Sequence, residues 1–230
     1  MWLKNRSFQR LGGGFLEQLG LNLWSRLQLS ALRARKDPRI IETIEGIVSR
    51  NQSLLSAWEQ YMIRSLAYAQ SVHDAAMAEV GVYRGASARL ISEVKGDRPL
   101  YLFDTFEGLP ESSDQDRGVH REHQYACSLE SVQKFLEGYA NIHYFPGIFP
   151  ASAANVPDQR YSFAHFDVDL YEGTKGCLEY FYPRMIRGGI MVSHDYGLLA
   201  GVEQAFQEFF ADKPERIIDL PSTQCMVVKL

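Results

Sequence analysis

Acids and a histidine stand where two short apolar runs end. "AHFDVDLYEGT" carries Asp167 and Asp169, and "VSHDYG" carries His194 and Asp195. An apolar run closing on an acid reads as a strand end, and neighbouring ends in an open α/β sheet share one rim, where ligands bind. Carboxylates and an imidazole converging there suit a divalent cation. Oxygen-rich sets favour Mg²⁺, and a histidine admits Mn²⁺ or a softer metal. Asp167, His194 and Asp195 are therefore the candidate ligands, with Asp169 beside them. The plainer alternative is that Asp167 or Asp195 caps the following helix. A sharper one takes His165, Asp167 and His194 as the two-histidine, one-carboxylate set of non-haem iron oxygenases, since His165 and Asp167 share one face of a strand. That set usually sits in a jelly roll, and this chain alternates strand with helix.

A second constellation lies earlier, in "MAEVGVYRGASARLISEV", Met77–Val94. The apolar run meets Glu79 and Gly81, turns through Gly85 and enters a helix-like segment. Gly81-x-x-x-Gly85 departs from the G-x-G-x-x-G dinucleotide fingerprint because Tyr83 stands at the middle position. A pyrophosphate needs that close backbone approach, and a ligand without phosphates does not. The next run, "LYLFDTFEGLP", ends on Asp104, about 20 residues past Gly81, where an acid typically bonds a ribose diol. Close glycines, a ribose acid and no phosphate cradle point to S-adenosylmethionine. "FPGIF" follows the third run, and its Gly147, Ile148 and Phe149 would wall the adenine. A tight turn with a capping acid is the bland alternative.

Proton transfer needs a base. His120 and His123 lie in "DQDRGVHREHQYACS", a polar loop expected over the cofactor mouth, so either suits a substrate hydroxyl. Both could equally be solvated loop histidines. His73 and His143 carry no special context.

The elements that must position these groups are legible in the periodicity. Candidate strands are Met77–Val82, Leu100–Asp104, Ile142–Phe145, Phe163–Asp167, Gly189–Ser193, Ile217–Leu220 and Met226–Lys229. Helical stretches Ala86–Val94, Ser128–Tyr139, Thr174–Met185 and Gly201–Ala211 separate most of them, which predicts a parallel, doubly wound sheet. The last two strands are too close for a parallel crossover and must form a hairpin. Seven mostly parallel strands with an antiparallel last pair describe a class I methyltransferase (Rossmann-like) fold. Upstream, Arg39–Gln70 reads as helix. Leu16, Leu19, Leu23 and Leu27 recur at helical spacing between arginines, for packing on the domain or a dimer mate, or for docking on a membrane surface.

With 230 residues, 46% hydrophobic and 23% charged, the chain can bury a real core. A formal charge of −4 argues against a nucleic-acid binder. Residues 1–36 hold seven Lys or Arg against one acid, leaving the rest at −10. Three widely spaced cysteines fit a reducing, cytoplasmic setting. No apolar run of spanning length and no signal-peptide pattern is apparent.

Together "AEVGVYRGASA", "LFDTFEGLPE", "SLESVQKFLEGYANIHYFPGIFP", "HFDVDLYEGTKGCLEYFYPRMIRGGIMVSHDYG" and "GVEQAFQEFF" resemble the macrocin O-methyltransferase (TylF/MycF) family from roughly Ser53 onward. The first motif is more distantly similar to that of catechol O-methyltransferases, including Tyr83. The resemblance implies Mg²⁺-dependent transfer of a methyl from S-adenosylmethionine to a hydroxyl, commonly on a natural-product sugar. It implies that Glu79, Gly81, Tyr83, Gly85 and Ser87 line the methionine end. Asp104 takes the ribose beside Thr105 and Phe106, and Asp167 and Asp195 bind metal. Two departures stand out. His194 replaces an aspartate usual in the family, and Leu170 stands where catechol-type enzymes place a lysine, so the base would be His120, His123 or Asp169. Residues 1–72 are expected as a helical extension or lid and 73–230 as the cofactor-binding domain. A homodimer or higher homo-oligomer is expected, acting on a small sugar or phenol acceptor. A nucleotide-dependent oxidoreductase, or a non-catalytic homologue with an impaired metal site, are the competing functions.

Overall fold

The computed structural model describes residues 15–116 and 118–230. Among the described residues three helices come first: α1 (Phe15–Arg33), α2 (Pro38–Ser49) and α3 (Ala57–Gln70). The continuous helix expected over Arg39–Gln70 is two. α2 starts on Asp37, whose carboxylate accepts the Arg39 N–H at 3.0 Å, with Pro38 as the first helical residue. It stops before Asn51, which adopts φ +53°. α3 then restarts the helix, with Glu59 Oε2 accepting the Ser56 N–H at 2.8 Å. Ser25 and Gln28 of α1 accept the Ala57 and Trp58 N–H groups at 3.2 and 3.0 Å, satisfying the open first turn of α3.

The alternating elements follow: β1 (Ala76–Val80), α4 (Ala86–Ser92), β2 (Leu100–Asp104), α5 (Leu129–Phe135), β3 (Ile142–Pro146), β4 (Tyr161–Phe166), α6 (Tyr171–Phe181), β5 (Met185–Ser193), α7 (Ala200–Phe210), β6 (Ile218–Asp219) and β7 (Cys225–Val228). The seven strands form one sheet in the order β3-β2-β1-β4-β5-β7-β6. β7 runs antiparallel to both β5 and β6, and every other pairing is parallel. This is the seven-stranded class I methyltransferase arrangement. Boundaries shift for local reasons. Pro183 ends the helix expected to run to Met185, so Met185 opens β5 instead. α5 closes at Phe135, ahead of Gly138 at φ +93°.

Strand alternation sorts the core into two layers. Tyr101, Phe103, Phe166 and Met191 meet Phe181 of α6 and Phe206 of α7 on one face. Met77, Leu102, Phe163 and Val192 meet Ile63 of α3 and Val132 of α5 on the other. Each such side chain, fully buried, contributes on the order of 2 kcal/mol. A third cluster joins Leu29, Ile41, Ile44 and Ile47 to Ala86 and Leu90 of α4, so the first three helices share a core with the sheet unit. α1 faces that core through Leu29, while Leu19, Leu23 and Leu27 are exposed, contrary to an apolar stripe packed on the domain. Leu16 lies outside the described side chains. No helix among the described residues is long and apolar enough to cross a membrane.

Candidate active site

Strand order reverses between β1 and β4, and a cleft of about 1210 Å³ opens beyond their carboxyl ends. Gly81 and Asp167 are the first residues past those two strands. Asp167 N–H donates to the Val80 carbonyl at 2.8 Å. A Cβ on Gly81 would lie 1.8 Å from the Asp167 carbonyl oxygen. The neighbouring backbone by itself requires glycine here. Gly85 starts α4 at φ +82°, and a Cβ there would press on Phe135 and Val132 at 3.3 Å. It is absent from the cleft wall.

Asp104 organises the turn between these glycines. Its Oδ2 accepts the Val82 and Tyr83 N–H groups at 2.6 and 3.0 Å, and its Oδ1 accepts Phe106 N–H at 2.7 Å. A carboxylate has about four acceptor sites, so the clamp leaves about one for a ribose hydroxyl. Val82, Tyr83 and Thr105 line the cleft beside it, while Phe106 is turned into the core. Gly147 N–H donates to the Asp104 carbonyl at 2.9 Å, which brings Gly147, Ile148 and Phe149 onto the same wall.

Glu79 does not reach the cleft. It is fully buried within β1 and pairs with His165 Nδ1 on β4 at 2.8 Å. Burial pushes its carboxyl up, only partly opposed by His165 and by a hydrogen bond from Ser87. Ser87 does line the cleft, and so connects Glu79 to it. His165 is buried in this pair and is not among the residues whose ligand atoms converge with Asp167 and His194, so the iron-type set does not form among the described residues.

The other end of the cleft is acidic. Asp167, His194 and Asp195 present ligand atoms within 4.8 Å of one another. His194 Nδ1 lies 2.9 Å from Asp195 Oδ2 and 3.3 Å from Asp167 Oδ1. Yet this buried nitrogen has no hydrogen bond of acceptable geometry. A convergent N,O,O set with an orphaned nitrogen is what a divalent cation would complete, so these residues fit one. Burial opposes charge on His194, but Asp195 and Asp167 outweigh it and hold the imidazole well above its ordinary value. Burial also pushes the Asp195 carboxyl up, and His194 more than reverses this. Asp169 goes the other way: burial first, then the Asp195 charge, hold its carboxyl well above the usual range.

The loop from Thr105 to Cys127 lies over the cleft. Leu109 N–H donates to the Gln124 carbonyl at 2.9 Å, and His123 N–H to the Leu109 carbonyl at 2.8 Å. Asp116, buried, accepts Ser113 N–H and Oγ–H through Oδ2 at 2.9 and 2.6 Å, and the Tyr171 N–H of α6 through Oδ1 at 2.7 Å. The loop is thus pinned, and its two histidines part company. His120 lines the cleft with its ring 6.0 Å from Tyr125. His123 is exposed, and its Nδ1 lies 3.1 Å from the Glu107 carbonyl. Apart from Asn51 and Asn141, every described non-glycine residue at positive φ belongs to this rim or loop: Tyr83, Phe106, His123, Tyr125, Asp169 and Asp195. Such backbone costs roughly 1–2 kcal/mol per residue, and its concentration here marks a site held by its surroundings.

The profile of the macrocin O-methyltransferase (TylF) family matches residues 60–223. The chain belongs to that family. A tetracenomycin-derivative 4'-O-methyltransferase of Streptomyces olivaceus is 33% identical over 138 residues, covering 53% of each chain. Mycinamicin III 3''-O-methyltransferase of Micromonospora griseorubida is 31% identical over 136 residues, 51% of this chain and 54% of that one. The chain therefore spans about half the length of the curated relatives it matches. Among solved structures, the O-methyltransferase NovP superposes with a TM-score of 0.70 at 22% identity, covering 77% of this chain and 82% of the other. That likeness concerns the fold.

Family motifs did not reveal Glu59 or Thr223, which also line the cleft. Ser56-x-x-Glu59 is a capping-box signature, a local signal for the helix start that the continuous helix read over Arg39–Gln70 passed over. The meeting of Glu59 with the β6–β7 connection has no such local signal.

Proposed function

We propose that this protein is an S-adenosylmethionine-dependent O-methyltransferase acting on a hydroxyl of a sugar or other small natural product, with a divalent cation at Asp167, His194 and Asp195. The observation that carries the reading is one continuous cleft, with the Gly81–Tyr83 turn and the Gly147–Phe149 wall at one side and the acidic cluster at the other. When bound, S-adenosylmethionine supplies an electrophilic methyl group and the cation a Lewis acid for an acceptor hydroxyl.

The chain's own residues bind and align. Tyr83 and Ser87 face the methionine end, and Asp104 has one acceptor site free for ribose. The cleft's carboxylates favour a cationic methyl donor over its neutral product. His120 is the base we favour, accepting the acceptor proton on its imidazole: it lines the cleft, whereas His123 is turned out. Alignment of the hydroxyl with the methyl supplies most of the acceleration. Phe149 and Tyr125 offer flat apolar surface, and the loop pinned by Asp116 limits water. Free Cys127, Cys177 and Cys225 suit a reducing cytoplasm, and the exposed leucines of α1 suit a homo-oligomer.

The test is incubation with S-adenosylmethionine, a divalent cation and glycosylated natural products bearing free sugar hydroxyls. A product heavier by one methylene, with equimolar S-adenosylhomocysteine, is expected. Cofactor binding without turnover on any hydroxyl acceptor would favour a non-catalytic homologue.

A further inference from the structure

Resting on the reading of Asp167, His194 and Asp195 as a cation site, we propose that Thr223 and Glu59 fix His194 in the tautomer that ligates through Nδ1. The site they build selects a first-row transition ion over Mg²⁺.

The argument is one of hydrogen-bond direction. Glu59, near the start of α3, accepts Ser56 N–H on Oε2 at 2.8 Å. Its Oε1 accepts Thr223 N–H at 3.2 Å and Thr223 Oγ1–H at 2.8 Å. A threonine hydroxyl has one proton, and here it is given to the carboxylate. Thr223 Oγ1 lies 3.0 Å from His194 Nε2, so it can only accept, and Nε2 must carry the proton. Nδ1 is then the one nitrogen a cation can take, displacing any proton that the carboxylates hold there, and it faces Asp195 and Asp167 at 2.9 and 3.3 Å.

A carboxylate–hydroxyl–histidine chain behind a metal position is how proteins orient a ligating imidazole and raise its basicity. Glu59 and Thr223 are positioning residues in this sense, since neither is one of the three converging ligands. The chain also ties the site to the helical N-terminal segment, because Glu59 is a cap of α3. An imidazole ligand suits first-row transition ions, whereas Mg²⁺ is suited by oxygen ligands; Mn²⁺, which accepts oxygen as well, is the probe with a readable spectrum.

The test uses the full chain, stripped with chelator and loaded with Mn²⁺. Free-ion electron paramagnetic resonance gives affinity, Mg²⁺ competition gives preference, and pulsed resonance reads ¹⁴N coupling to bound Mn²⁺. Expected are tighter binding of Mn²⁺ than of Mg²⁺ and a ¹⁴N coupling that changes on ¹⁵N-histidine labelling. Both should be lost in His194→Asp. Thr223→Val, folded by circular dichroism, should weaken Mn²⁺ about 10–100-fold, with Thr223→Ser close to wild type. Glu59→Gln also disturbs a helix cap, so the threonine variants carry the decision. Bound Mn²⁺ without histidine coupling, no Mn²⁺ binding, or Thr223→Val matching wild type would each overturn the proposal. Calorimetry with S-adenosylmethionine on the same preparations keeps the outcomes separate: cofactor binding with no nitrogen coupling sinks this inference and leaves the methyltransferase reading standing.

Discussion

The carbonyl oxygen of Asp167 occupies the space that a side chain on Gly81 would need, 1.8 Å from an ideal Cβ. The cofactor turn and the acidic cluster are therefore joined through backbone, and neither can shift alone. Gly81→Ala must displace β4's end or distort a residue at φ +84°. A left-handed alanine alone costs roughly 1–2 kcal/mol, and the clash adds to it. The expected result is a loss above about 2 kcal/mol in denaturant unfolding, with weaker binding of both S-adenosylmethionine and Mn²⁺. Weakening of only one would show the two sites to be independent.

Asp104 is primarily the clamp of this turn. Asp104→Asn keeps the shape but gives up an acceptor oxygen facing two or one of the three N–H groups. A lost charge-assisted bond costs roughly 1.5–3 kcal/mol. Stability and cofactor affinity should therefore fall together. An affinity loss with unchanged stability would mean that ribose contact alone accounts for the acid.

The two loop histidines should separate cleanly. His120→Ala is expected to lower kcat by about 10²–10⁴ with near-normal cofactor affinity, and His123→Ala to change kcat little. Product formation with a competent acceptor measures both. Equal losses would shift the proton to another group.

Much of this was legible from residue order. Strand ends carrying Asp104, Asp167 and Asp195 stand out because an apolar run stops on an acid, and the hairpin of β6 and β7 follows from its short connection. What escaped was long-range. Glu79 reads as a ligand group, but its partner His165 lies 86 positions away and takes it into the sheet. Glu59 is 164 positions from Thr223, and no local pattern joins them. His120 and His123 look equivalent in sequence, since loop closure through Leu109 decides which one turns inward.

A further pair sets the acid limit. Glu215, buried, accepts from Lys229 Nζ at 2.6 Å, from Tyr182 at 2.9 Å and from Leu230 N–H at 3.2 Å. Burial raises its carboxyl, but these bonds prevail and bring it down to about 2. Because the folded value lies below the unfolded value of about 4.3, this stabilisation is present above that pH. It is lost as pH falls toward about 2. Glu215→Gln should flatten the acid limb of stability against pH between those values. An unchanged limb would assign acid sensitivity elsewhere.

The most direct measurement is a calorimetric titration of the chelator-stripped protein with S-adenosylmethionine, beside Gly81→Ala. A single site with Kd in roughly the 1–100 μM range, much weaker in the variant, is expected. A folded wild-type protein that gives no heat and no binding would contradict the central claim that this cleft holds the methyl donor.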